Sequence, residues 1–93
     1  MIGAGSVVRL ASKARLRFDR HAQKHMVLYP EKGLVLSATA ADVVTLCVEP
    51  RAVAAIIETL AEKYDKSDRE AIGRDVIELL QQLLDRGLVE VVA

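Results

Sequence analysis

The stretch Leu28-Tyr-Pro-Glu-Lys-Gly-Leu-Val-Leu-Ser-Ala-Thr-Ala-Ala-Asp42 decides how this chain is organised. It reads as a strand end, a tight turn, a second strand and the opening of a helix. Pro30 fixes φ and lacks an N–H, which suits a turn or strand boundary and not a central strand. Gly33 tolerates the positive φ that such turns often need. Leu34 to Leu36 is an apolar run of strand length. Thr39-Ala-Ala-Asp42 sets a hydroxyl three residues before a carboxylate, the spacing of a capping box. Sheet gives way to helix within this stretch.

Toward the N-terminus, Ala14-Arg-Leu-Arg-Phe-Asp19 alternates strictly, with Leu16 and Phe18 on one face and Arg15 and Arg17 on the other. That pattern predicts a half-buried antiparallel strand. His25 to Tyr29 supplies a second strand and Gly33 to Ser37 a third, forming a three-stranded meander. Residues 1–13 are rich in Gly, Ala and Ser, with Val7, Val8 and Leu10 as anchors. They are expected to form a flexible arm, and residues 14–93 a single domain.

Toward the C-terminus three helices are predicted. The first spans roughly Ala40 to Val48 and ends at Glu49-Pro50, with Pro50 in the first turn of the second helix. The second runs over about Arg51 to Tyr64. Ser67-Asp-Arg-Glu70 reads as a capping box for the third, which Gly87 closes. Leu88 to Val92 forms a final extended segment. The expected fold class is α+β: winged helix-turn-helix-like, a three-stranded antiparallel sheet followed by a three-helix bundle. In the third helix the large apolar residues cover an arc of about 160°, from Leu79 to Ile77, at 100° per residue. One face needs little more than about 100°. Either this helix is wedged between neighbours, or one flank (Leu79 with Asp75 and Gln82, or Ile77 with Leu84) receives a ligand.

Composition bounds the function. Apolar residues make up 52% of the 93-residue chain, enough for a core, and no apolar run approaches a membrane span. A soluble cytoplasmic protein with no membrane partner is expected. The lone Cys47 precludes an internal disulfide and any cysteine-based zinc cluster. His21 and His25 have no third ligand beside them, and no phosphate loop, nucleophile elbow or paired-carboxylate motif occurs. Neither enzymatic activity nor a metal or other cofactor is expected. The net charge of zero is uneven: residues 1–25 hold six basic groups against Asp19, and the remainder is net −5. From Ala40 to Arg86 there are six basic and ten acidic residues, a poor surface for phosphate neutralisation. Nucleic acid is therefore not an expected partner, although a winged-helix DNA-binding or regulatory domain is the alternative reading of the fold.

The Leu28–Ala41 stretch, followed by Leu46-Cys47, Ala55-Ile-Ile-Glu-Thr-Leu60, Asp75-Val76 and Gly87-Leu88, resembles the pyrroloquinoline quinone biosynthesis protein D family, PqqD. The resemblance covers about Arg15 to Val89. Ser37 stands where the family usually has Asn, and Val48-Glu49 where it has Asp-Gly. The resemblance implies a peptide chaperone, or RiPP recognition element, that binds the precursor (leader) peptide of pyrroloquinoline quinone. It would present that peptide to a radical S-adenosylmethionine enzyme. The leader would lie as an extra strand on the third strand, beside the third helix. An open sheet edge can accept such a strand, and it also invites homodimers. The candidate peptide-binding residues are Leu34, Val35, Leu36 and Ser37 for main-chain pairing, and Ile77, Leu79 and Leu84 for apolar contact. Arg74 and Lys32 would meet acidic leader residues, and Asp75 would anchor local structure.

Overall fold

Strand alternation in the first half of the chain yields the expected meander. The computed structural model describes residues 2–3, 5–29, 32–64 and 68–92, with backbone only at 29, 32 and 33. Strand β2 (Arg15–Asp19) pairs antiparallel with β3 (Lys24–Tyr29), which pairs antiparallel with β4 (Lys32–Val35). The register places Leu16, Val27 and Leu34 side by side on the inner face, where Val27 is fully buried. Pro30 and Glu31 of the expected turn lie outside the described residues.

A second sheet was not foreseen. Val7–Leu10, expected within a flexible arm, forms strand β1. It lies between β5 (Arg51–Ala52) and β6 (Val89–Val91), antiparallel to both, and Val8 is 0% exposed. Val8 is thus a core residue and Leu10 packs against the core, in a strand fixed by partners about 40 and 80 positions away in sequence. The fold is α+β, with two three-stranded antiparallel sheets and helices α1 (Ala38–Leu46), α2 (Val53–Lys63) and α3 (Arg69–Asp85). Among the described residues no helix is long and apolar enough to cross a membrane.

The helix ends differ in detail from those expected. Ser37, not Thr39, caps α1: its Oγ accepts the Ala40 N–H at 3.2 Å. Ser37 has extended φ and ψ, the geometry a cap needs, whereas Thr39 already lies within the helix. The third strand consequently stops at Val35, and Ser37 belongs to the helix. Pro50 is not in the first turn of α2, because Arg51 and Ala52 pair with β1 before the helix starts at Val53. Asp68 caps α3 through its Oδ1 and the Glu70 N–H at 3.0 Å, while Ser67 lies outside the described residues. At the other end Gly87 has φ +75°, with Gly87 N–H bonded to Leu84 O and Leu88 N–H to Leu83 O, both at 2.9 Å. That is a Schellman motif, and it turns Leu88 into the core beside Leu83.

The core has two parts. One joins Val8, Val43, Cys47, Val53, Ile56, Leu60, Val76 and Leu80; the other joins Val27, Leu36, Ala40, Val44, Leu83 and Leu88. Helix α1 divides them, with Val43 facing one and Val44 the other. Asp42 on α1 ties it to α2: it accepts from Tyr64 OH at 2.6 Å and from Lys63 Nζ at 2.9 Å. Burial raises the Asp42 pKa, but the bonds from Tyr64 and Lys63 outweigh it and hold the carboxyl below its ordinary value.

Two outcomes follow for stability. Val8→Ala should cost about 2 kcal/mol in urea unfolding, and deletion of residues 1–10 considerably more, since the middle strand of a sheet is lost. A dispensable arm would leave the midpoint unchanged. Because the Asp42 pKa is depressed on folding, its contribution is present above the unfolded carboxylate value of about 4 and fades as pH falls below it. Asp42→Asn should therefore be less stable than the parent at neutral pH, the gap closing on acidification, as followed by circular dichroism across a pH series.

Candidate functional site

Among the described residues strand β4 has a neighbour on one side only, since the sheet order is β2-β3-β4. In an antiparallel pair, alternate residues turn their N–H and C=O toward the partner and away from it. Leu36 N–H bonds to His25 O at 2.9 Å, and the register continues this bonding phase through Leu34 opposite Val27. Gly33 and Val35 are out of phase, so their amide and carbonyl groups point away from β3 along the open edge. The side chain of Val35 is 53% exposed, on the sheet face opposite the core.

The candidate residues from the sequence divide on this frame. Leu34 is partly buried against the second core cluster, and Leu36, 5% exposed, is part of that cluster. Leu36 turns inward in both side chain and amide and offers a ligand nothing; Ser37 is committed to its cap. The side chain of Lys32 lies outside the described residues. On α3, Leu79 and Leu84 pack against both clusters, and Leu79 shares the second with Leu34. Asp75 lines a cavity of about 250 Å³ with Thr39, Tyr64, Ile72 and Val76. Thr39 lies in the first turn of α1, directly after β4, so this flank of α3 is the one at the end of the open strand. Arg74 and Ile77 instead border a larger apolar concavity of about 630 Å³ with Ile2 and Gln81, on the other flank. At 100° per residue, Asp75 and Ile77 are about 160° apart, so one extended ligand strand cannot meet both flanks.

Thr39, Tyr64 and Ile72 were not singled out from the sequence as site residues. Thr39 carried a capping pattern, and nothing local signals that helices α1, α2 and α3 converge there. Of the remaining reactive groups, His25 stacks edge-on against Phe18 with ring centres 5.0 Å apart. Burial pushes the Cys47 thiol up to about 11, against a smaller opposing effect from Arg51, so it is protonated at neutral pH. Among the described residues no group of three His, Cys, Asp or Glu side chains could hold a metal ion.

Residues 24–89 match the family described as Coenzyme PQQ synthesis protein D (PqqD). A Rhodopseudomonas palustris (strain HaA2) protein named PqqA binding protein is 46% identical over 80 residues, covering 86% of this chain and 78% of its own. The solution NMR structure of the PqqD truncation of Methylobacterium extorquens PqqCD is described as a functional and stand-alone RiPP recognition element. It matches with a TM-score of 0.83 at 31% identity, covering 97% of this chain and 95% of that one. TbiB1, solved in complex with the TbiA(beta) leader peptide, matches with a TM-score of 0.78 over 91% of this chain and 98% of that one. Its identity of 18% speaks to the fold alone. With the family match spanning most of the chain and a relative at 46% identity, this chain belongs to the PqqD family.

Proposed function

We propose that this protein is a non-catalytic, cytoplasmic peptide chaperone. It binds the precursor peptide of pyrroloquinoline quinone and presents it to a radical S-adenosylmethionine enzyme of the same pathway. The observation that carries this reading is the outer edge of β4, unpaired among the described residues, where Gly33 and Val35 turn their backbone groups away from β3. An incoming strand would satisfy those groups with little demand on its sequence. Selectivity would come from the adjoining flank of α3: Leu79 offers apolar surface, and the cavity beside Ile72, Asp75 and Thr39 accepts a side chain. The name borne by the curated relatives and the recognition-element description of the NMR neighbour support the same peptide class.

Calorimetry with the precursor peptide should show one-to-one binding, with a dissociation constant at or below tens of micromolar. Val35→Pro removes an outward N–H that β3 does not use, at an edge position where proline is tolerated. It should weaken peptide binding by about tenfold or more while moving the unfolding midpoint little. Unchanged affinity in that variant would show that the peptide binds elsewhere.

A further inference from the structure

The sheet β2-β3-β4 buries one face against α1 and α3 and leaves the other uncovered among the described residues. The register sets Arg15 beside Leu28 and Gly33, and Arg17 beside Met26 and Val35, all on that outer face. Arg15, Arg17 and Val35 are exposed, and Met26 and Leu28 are half-buried. Arg20 and Lys24 extend the cationic side at the β2–β3 hairpin, where Arg17, Phe18, Asp19, Arg20, His21 and Leu28 line a concavity of about 610 Å³. The one carboxylate lining that concavity, Asp19, is engaged in the turn: its Oδ1 accepts the His21 and Ala22 amides at 2.9 and 3.3 Å. Three cations elsewhere are paired, Arg9 with Glu90, Lys63 with Asp42 and Arg69 with Glu58. Among the described residues Arg15, Arg17, Arg20 and Lys24 form no ion pair. An apolar centre bordered by unpaired cations is a surface for a partner of opposite charge. A second copy would bring the same arginines face to face, which disfavours symmetric pairing here.

We propose that this outer face docks a protein partner whose surface sets acidic groups around an apolar centre. A peptide strand bound to β4 widens the face by one strand. Its alternate side chains then stand beside Gly33 and Val35, so the partner reads chaperone and peptide as one surface. The inference rests on strand addition at β4 and deepens the presenting role by naming the surface that presents. Arg15 and Arg17 sit two strands from the β4 edge, about 10 Å away, so docking and peptide capture are separable.

The test compares the full chain with R15E/R17E, using the precursor peptide alone and the pathway's radical S-adenosylmethionine enzyme in the presence of peptide. The variant should keep peptide affinity within about twofold and lose about tenfold or more in enzyme docking. Docking of the parent chain should weaken steeply as salt rises from about 0.05 to 0.3 M. Unchanged docking by R15E/R17E, or docking insensitive to salt, overturns the proposal. So does duplex DNA retained by the parent at about 0.15 M salt and released by the variant. If the double reversal does not fold, R15Q/R17Q and the salt series decide the matter. A parent chain that captures no peptide defeats the function proposed above, and that result is seen before any variant is made.

Discussion

A strand with a single neighbour leaves half of its amides and carbonyls without a partner, and β4 is held in that condition by what surrounds it. On its inner side Leu34 and Leu36 are fastened to Val27 and to the core, which fixes the phase of hydrogen bonding. On its C-terminal side Ser37 caps α1 at once, so the strand cannot slide or lengthen without losing the cap. A slip of one residue would send Leu34 and Leu36 to solvent and Val35 into the core. Register and cap together fix which way the open edge faces, a condition for binding a flexible peptide without a large ordering cost on the protein's side.

The helices serve that edge from behind. Helix α1 is packed on both sides, with Val43 in one core cluster and Ala40 and Val44 in the other. Helix α3 spans the same two clusters lengthwise: Val76 and Leu80 enter the first, and Leu83 the second. This accounts for its broad apolar arc through packing alone. Little of that arc is left over for a ligand, and what remains is divided between two flanks that open on different cavities. The Asp42–Tyr64–Lys63 cluster fixes α1 against the end of α2, next to the smaller cavity, so the wall of the proposed side-chain pocket is braced by a charged hydrogen-bonded contact.

Much of this was legible in the sequence, for physical reasons. Strict alternation in Arg15–Asp19 and the Gly-Leu-Val-Leu run marked the meander, because a period of two is a strong local signal. Gly87 marked the end of α3, because a left-handed residue there is a local requirement. Strand β1 was not legible. Val7-Val8-Arg9-Leu10 is only four residues long, and its partners are remote, so nothing nearby says what covers it. The α1 cap was misassigned because Ser37 and Thr39 are both hydroxyl residues near the same boundary. Only the backbone angles separate them. The division of the site was hidden for a similar reason: helical spacing gives the directions of Asp75 and Ile77, but not which neighbour each direction meets.

The measurement closest to the central claim is residue-resolved amide hydrogen exchange of the full chain with and without the precursor peptide. The account predicts that the Gly33 and Val35 amides, exchanging freely in the unbound protein, become protected on binding, while Leu34 and Leu36 change little because β3 already holds them. Protection confined to the Ile2–Gln81 side of α3, with Gly33 and Val35 unaffected, would contradict it.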